Sequence, residues 1–313
     1  MNAHSPLTLV AQELLPAQSA LTVAAAMSAA VDERTRTLIA EFVATAGPPP
    51  AEFAWMALGS HARGELHCAS DQDHALVWAT PEAAGSDYAA DMARSVIDGL
   101  TAFGMQPCSG NYMADHWSLS LDDWLALIQT HIDVVTPEAI VDTDIFLDLR
   151  PIAGSLDASA TTALLLLGAD SPRLLHGLAQ AATSFPHGLN ALGRLPHRSI
   201  DLKRNAIAPT VLIARLFGLV ARSPEVSTVG RLQAAADAGV LSRKLTARML
   251  SAYALFTELR LTHQLQQVEL GVDITNDETI HDISAPDQKR LRAALKAVRA
   301  AQSTTSMAYR TDL

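Results

Sequence analysis

Cysteines, long apolar runs and early basic residues are all scarce in this chain, and each scarcity excludes a class of protein. Only two of the 313 residues are cysteine, which is too few for a disulfide framework and typical of a reducing compartment. No uninterrupted run of about 18 or more apolar residues occurs, so we expect no membrane span. The first 33 residues contain no Lys or Arg, which argues against a signal peptide. The sequence therefore predicts a cytoplasmic protein.

Basic residues are also scarce in the first half of the chain. Residues 1–153 hold 20 acidic residues against five basic ones, whereas residues 154–313 hold 13 against 18. The first lysine is Lys203. A net charge of −10 makes the protein a poor candidate for binding a long nucleic acid backbone. The difference between the halves fits either a division of function or chance.

Apolar periodicity divides the chain into three regions. Residues 1–46 predict a helical region, which the Gly-Pro-Pro-Pro sequence at 47–50 ends. Residues 47–153 predict a small α+β domain, and residues 154–313 are rich in Leu and Ala with the periodicity of a helix bundle. The expected strands are 53–58, 71–78 and 144–149, and the expected helices are 88–103, one from Ser120, one from Thr136, 156–182, 199–222, 226–238, 242–270 and 286–302.

The most informative stretch runs from Gly59 to Glu65 and continues at Asp71 and Asp73. It predicts a strand, a turn of small residues, and a second strand that opens on two alternating acids. Side chains two apart on a strand point to one face, roughly 6.5–7 Å apart, and such carboxylates can share two divalent metals about 3.5–4 Å apart. The Gly59-Ser60 turn can offer backbone N–H groups and a hydroxyl to phosphate oxygens.

These motifs resemble the DNA polymerase β-like nucleotidyltransferases. They are most similar to a bacterial nucleotidyltransferase family related to the uridylyltransferase that modifies the PII regulatory protein. The chain departs from that family's pattern at Ala62, where a glycine is usual, and at His74, where an asparagine is usual. The likeness extends to Phe146–Arg150, which resembles a strand with a third acid. It extends also to Ile200–Arg204, which resembles the opening of a helical substrate-binding domain.

The resemblance implies a fold, an activity and a set of functional residues. It implies a small mixed-sheet polymerase β-like domain at 47–153, preceded by helices and followed by a helical substrate-binding domain at 154–313. Two Mg²⁺ ions, with Mn²⁺ as a substitute, would be held by Asp71, Asp73 and Asp148. The substrate would be a nucleoside triphosphate, and the transfer would be of the uridylyl or adenylyl kind. The acceptor would be a protein or a small molecule.

Two residues near these motifs have alternative interpretations. By resemblance, Asp148 is the general base for the acceptor hydroxyl, but an acid in an apolar strand is also explained by a buried ion pair with an arginine. Arg63 can contact phosphate, or it can pair with Glu65 or Asp71. The activity has an alternative too, because a catalytically inactive nucleotide-binding module or a helical scaffold would keep the same fold.

The cysteines and the loop after the second helix are less informative. Cys68 lies among several histidines, but their spacing matches no tight zinc pattern. Cys108–Met113 either lines the acceptor side of the site or forms a turn between strands.

Lys203 and Arg204 begin a helix in the basic half, and they provide the first testable prediction. By resemblance they bind the nucleotide, with Lys203 on the β- or γ-phosphate in a cleft between domains; the alternative is an ordinary solvated helix. We predict that Lys203→Ala weakens ATP binding more than AMP binding, since only ATP carries those phosphates, and that the effect shrinks as salt rises. Calorimetric titrations of ATP and AMP measure this difference. Equal losses for both nucleotides would mean that Lys203 is an ordinary surface residue.

Overall fold

The computed structural model describes residues 5–311, which form two compact units. The first unit comprises the residues up to Val134 together with Val141–Leu165. The second comprises Val135–Ile140 together with the residues from Leu166 onward. The chain is an α+β protein, as the sequence predicts. The domain boundaries predicted at residues 46 and 153 stay a prediction.

Two helices precede the sheet, α1 (Pro6–Leu14) and α2 (Ala20–Ala46). Each begins at a serine whose hydroxyl accepts a hydrogen bond from a backbone N–H three residues later, the usual way to satisfy a helix N-terminus. The predicted helical region is confirmed, with an interruption near Pro16. Gly47, with φ of 89°, ends α2 and so begins the predicted linker.

The first unit contains a four-stranded mixed sheet in the order β5-β3-β1-β6. Strand β1 pairs antiparallel with β3 and β6, and β3 pairs parallel with β5. All residues of β1 and β3 are buried, because both faces of these central strands are covered. The strands of this unit are β1 (Phe53–Ala57), β2 (Asp71–Gln72), β3 (His74–Trp78), β4 (Gln106–Pro107), β5 (Ser118–Ser120) and β6 (Arg150–Gly154). Strands β2 and β4 form a separate parallel pair.

Helices cover this sheet and carry its core. The predicted helix at 88–103 and the one capped by Ser120 are both confirmed, and the Ser120 hydroxyl accepts from the Asp123 N–H at 3.1 Å. The remaining helices up to residue 167 are α3 (Gly59–Ala62), α4 (Pro81–Ala84), α5 (Asp87–Phe103), α6 (Leu121–Asp133), α7 (Pro137–Phe146) and α8 (Ser159–Leu167). Residues of α7 and α8 belong to both units.

The predicted strand at 144–149 is wrong. Helix α7 continues to Phe146, residues 147–148 form a turn, and the strand begins only at Arg150. The Phe146 ring is fully buried and lies edge-on to Trp117 and Trp124, with centroids 5.0 Å away from each. A short apolar run fits a helix or a strand equally well, and this aromatic packing favours the helix. Asp148 therefore lies in a turn and not in the middle of a strand.

The second unit is mostly helical, as predicted. Its helices are α9 (Pro172–Ser184), α10 (Ala208–Val220), α11 (Thr228–Asp237), α12 (Arg243–Leu270) and α13 (Ala285–Tyr309), with a 3-10 turn at Gly168–Asp170 and a π-helical turn at Lys203–Ile207. The helix predicted at 199–222 starts later than expected, since β7 (Ser199–Asp201) pairs antiparallel with β8 (Asp277–Thr279). In the part of the chain that the structure describes, every helix is too short or too polar to cross a membrane.

Candidate functional site

Asp71 and Asp73 lie together, as the sequence predicts, at the point where β2 gives way to β3. Oxygen atoms of both carboxylates and the Sγ atom of Cys108 all lie within 4.8 Å of one another. Both acids are partly exposed, whereas Cys108 is only 9% exposed. This cluster is open to solvent on the side of the acids, so a ligand can reach it.

The Gly59 turn lies directly against Asp73. The Leu58 N–H donates to the Asp73 backbone carbonyl at 2.9 Å, which fixes the end of β1 beside the acid. Gly59 has φ of +54°, and a Cβ atom built on it would lie 2.6 Å from Asp73 Oδ2. Glycine is therefore required for two reasons, its left-handed backbone and the lack of space. Ser60 follows on the partly exposed second position of α3.

Gln72 fixes the position of the two acids, a role that sequence reasoning missed. Its side chain is 1% exposed and points away from the cluster. The Nε2 atom lies 2.9–3.2 Å from Thr101 Oγ1 and from the carbonyl oxygens of Ile97 and Met105. Because side chains alternate along a strand, the inward Gln72 turns its two acidic neighbours toward the other side.

His74 continues this network and has a defined tautomer. The Ala114 N–H donates to His74 Nδ1 at 2.9 Å, so the ring proton lies on Nε2, which donates to Gln72 Oε1 at 3.2 Å. Burial, with a further contribution from the neighbouring His61, lowers the pKa of His74 to about 3. The ring is therefore neutral at physiological pH. His74, noted in the sequence as a departure from the family's asparagine, supports Gln72 by hydrogen bonding.

A second network holds the short helix α3 in place. Arg150 donates to both carboxylate oxygens of Asp32 at 2.9 Å and to the Ala62 carbonyl at 2.9 Å. His61 Nε2 lies 2.7 Å from Asp32 Oδ1. Burial alone would raise the pKa of Asp32, but the hydrogen bonds from His61 and Arg150 outweigh it and lower that pKa to about 2. Asp32 thus ties helix α2 to α3 and to β6.

Arg63 lies in a buried ion pair, which was one alternative left open by the sequence. Its Nε atom is 2.6 Å from Glu65 Oε2, and its Nη1 atom is 2.5 Å from Asp148 Oδ2. The Asp148 side chain is fully buried, and the other two are less than 10% exposed. Among residues 5–311, Asp148 is not part of the cluster of Asp71, Asp73 and Cys108. Its role as general base therefore remains a prediction.

Lys203 and Arg204 are both exposed in the second unit. The Arg204 N–H donates to Asp201 Oδ1 at 2.8 Å, which caps the π-helical turn that leads into α10. A helical segment does begin at Lys203, as expected. Exposure fits a phosphate-binding residue and a solvated one equally well, so the role of both cations remains a prediction.

The Cys108 thiol adds a donor that sequence reasoning did not connect with the acids. Burial and the nearby Asp73 carboxylate raise the pKa of Cys108 to about 11, so the thiol is protonated when no metal is bound. Carboxylate oxygens suit Mg²⁺ and Mn²⁺, while a sulfur ligand suits softer ions. The donors fit a divalent metal site, and the Gly59 turn lies directly beside them.

The contact between Gly59 and Asp73 leads to a prediction that distinguishes two effects of a substitution: steric crowding of the Asp73 carboxylate and backbone strain at a positive φ. Gly59→Ala places a methyl group against Asp73, so we expect Mn²⁺ affinity to fall by about 10- to 100-fold, the usual cost of disturbing a metal ligand's support. Gly64→Ala is the matched control, because Gly64 also has positive φ but its Cβ would meet nothing within 4 Å. Calorimetric Mn²⁺ titration compares the two variants. Equal losses in both would show that only backbone strain matters.

The buried ion pair leads to a prediction about stability. Asp148→Asn removes one of the two carboxylates that pair with the buried Arg63, while Glu65 keeps its contact with the guanidinium. We therefore expect the free energy of unfolding to fall by about 1.5–3 kcal/mol in metal-free buffer, the contribution of a hydrogen bond to a charged group. Because the two residues touch, the double variant with Arg63→Gln should be about as unstable as the worse single variant. Urea unfolding of the three variants measures the coupling. A loss below about 1 kcal/mol for Asp148→Asn would contradict a structural ion pair.

Comparison with known families identifies two domains in the chain. Residues 7–138 match the family described as "Putative nucleotidyltransferase DUF294", and residues 172–309 match "Putative nucleotidyltransferase substrate binding domain". A search of curated proteins gave no match. The two family matches follow the order that the sequence motifs implied, cover most of the chain and support nucleotidyl transfer as its activity. The chain belongs to this family of nucleotidyltransferases and carries its C-terminal substrate-binding domain.

Proposed function

We propose that this protein is a metal-dependent nucleotidyltransferase that moves a nucleoside monophosphate from a nucleoside triphosphate to an acceptor hydroxyl. The observation that carries the proposal is the contact between the Gly59 turn and Asp73, with Asp71 and Cys108 beside it. A phosphate-binding turn and metal-binding acids are the two parts that such a reaction needs. Here one backbone contact joins them.

Asp71 and Asp73 are the proposed metal ligands. Bound Mg²⁺ or Mn²⁺ would polarise the α-phosphate and neutralise charge on the leaving pyrophosphate. The surrounding residues support this role, because Gln72 and His74 hold the strand so that both acids face the same side. Their contribution is positioning, which lowers the barrier by fixing the reacting groups before the reaction.

The turn and the buried acid have separate proposed roles. Ser60 would donate its hydroxyl to the terminal phosphates, and Gly59 lets the backbone approach them closely. Arg63 orients the Asp148 carboxylate, and Asp148 would accept the proton of the attacking hydroxyl at a carboxylate oxygen. This base role rests on the family resemblance.

The identities of the acceptor and of the transferred nucleotide are further proposals. By kinship with PII uridylylation we propose a regulatory protein as acceptor, with a small molecule as the other option, and a uridylyl or adenylyl group as the one transferred. The net charge of −10 argues against long nucleic acids. The reaction would take place in the cytoplasm, where both nucleotides and such acceptors are found.

One observation favours a second candidate function, a nucleotide-binding module that does not catalyse transfer. Asp148 is fully buried and engaged by Arg63, so a base at this position must be uncovered before it can act. A module of this kind would bind nucleotide and metal through Asp71 and Asp73 without turnover.

An assay that follows the transfer of a radiolabelled nucleotide to an acceptor tests the proposal. The protein is incubated with Mg²⁺, a lysate of the source cell and each of α-³²P-labelled ATP, UTP, CTP and GTP. We expect one nucleotide to label an acceptor and Asp73→Asn to reduce the rate by at least about 100-fold, since a lost metal ligand costs several kcal/mol in the transition state. Asp98→Asn is the charge-matched control, because Asp98 is exposed on α5.

Three outcomes separate the candidates. Labelling that depends on Asp73 but not on Asp98 supports the transferase. Metal-dependent nucleotide binding without labelling supports the non-catalytic module. A folded Asp73→Asn variant with near-normal turnover would contradict the proposed metal site.

A further inference from the structure

Cys108 lies beside the acids because of strand register. In the parallel pair of β2 and β4, Asp71 is opposite Gln106 and Gln72 is opposite Pro107. The residue that follows each strand is therefore Asp73 on one side and Cys108 on the other. The pairing of β2 with β4 brings these two residues side by side, so the sulfur lies next to the carboxylates.

The loop after β4 then holds the thiol in place. The Gly110 N–H donates to Cys108 Sγ at 3.3 Å, and the Asn111 N–H donates to the Cys108 carbonyl at 3.3 Å. Asn111 has φ of 61°, which turns the chain back over the sulfur. The Cys108 side chain is thus fixed within 4.8 Å of both acids. Ligands of one ion lie at about 2.0–2.3 Å from it, so small side-chain adjustments bring all three donors onto one metal.

We propose that Cys108 is a third protein ligand of the metal site formed by Asp71 and Asp73, which makes it a mixed carboxylate–thiolate site. This inference rests on the proposed function for its two carboxylate ligands. On binding, the thiol releases its proton to the buffer and sulfur bonds to the metal. Since thiolates select softer ions than carboxylates do, Cys108 raises the affinity for Co²⁺ and Zn²⁺ more than the affinity for Mg²⁺.

The alternative is a thiol that only donates a hydrogen bond to Asp73 and never touches metal. Co²⁺ distinguishes the two, because a sulfur–cobalt bond gives a near-ultraviolet charge-transfer band that oxygen ligands do not give. The chain has two cysteines, and Cys68, which is fully buried, is outside the cluster. Cys68→Ala therefore leaves Cys108 as the one remaining source of a sulfur band.

Co²⁺ is titrated under argon into the full-length native protein, Cys68→Ala and Cys108→Ser. We expect the band in the native protein and in Cys68→Ala, and we expect it to be lost in Cys108→Ser. Co²⁺ affinity, measured by calorimetry, should fall at least about tenfold in Cys108→Ser, the lower end of the cost of perturbing a metal site. Mg²⁺ affinity, measured by competition with Mn²⁺, should change less than Co²⁺ affinity.

Any of three results would overturn the inference: no band in the native protein, no band in Cys68→Ala, or a band that persists in Cys108→Ser. The Cys68→Ala result decides the matter even if Cys108→Ser fails to fold. The test is also independent of turnover. A cobalt–sulfur band in a protein that transfers no nucleotide would support Cys108 as a ligand and reject the transferase, whereas transfer without the band would support the transferase and reject Cys108 as a ligand.

Discussion

The hydrogen bond from Leu58 N–H to the Asp73 carbonyl is the interaction on which the proposed chemistry depends. It extends the antiparallel pairing of β1 with β3 by one step, at the point where β1 turns into α3. Without it, the Gly59 turn and the two acids would be separate features of the surface. With it, a turn suited to phosphate and a site suited to metal lie against each other.

The two polar networks around the site fix its geometry. Like charges at Asp71 and Asp73 repel, and such repulsion favours any motion that separates them. The hydrogen bond from Gln72 to Thr101 holds the strand segment between the two acids in place. The Arg150 side chain, paired with Asp32, holds α3 in place. The Gln72–His74 network is buried and the Asp32–Arg150 pair is partly buried, so these hydrogen bonds form in a lower dielectric than water, where they are stronger. A pre-formed site of this kind loses less free energy when it orders around its ligand.

The sequence predicted the α+β class, the central strands, most helices and the proximity of Asp71, Asp73 and Gly59, because these follow from short-range patterns. It did not predict the end of α7, since a short apolar run fits helix or strand until aromatic packing decides. It also did not predict that Cys108 joins the acids. That contact arises from the pairing of β2 with β4, two-residue strands that are too short to leave a periodic signal.

The central claim is that Asp71 and Asp73 hold metal where a nucleoside triphosphate binds. The most direct measurement is a crystal structure of the protein with Mn²⁺ and non-hydrolysable analogues of ATP and UTP, using anomalous scattering to locate the ions. The account predicts an Mn²⁺ peak within bonding distance of both carboxylates, with the nucleotide phosphates against Gly59 and Ser60. Nucleotide and Mn²⁺ bound elsewhere, with these residues contacting only solvent, would contradict it.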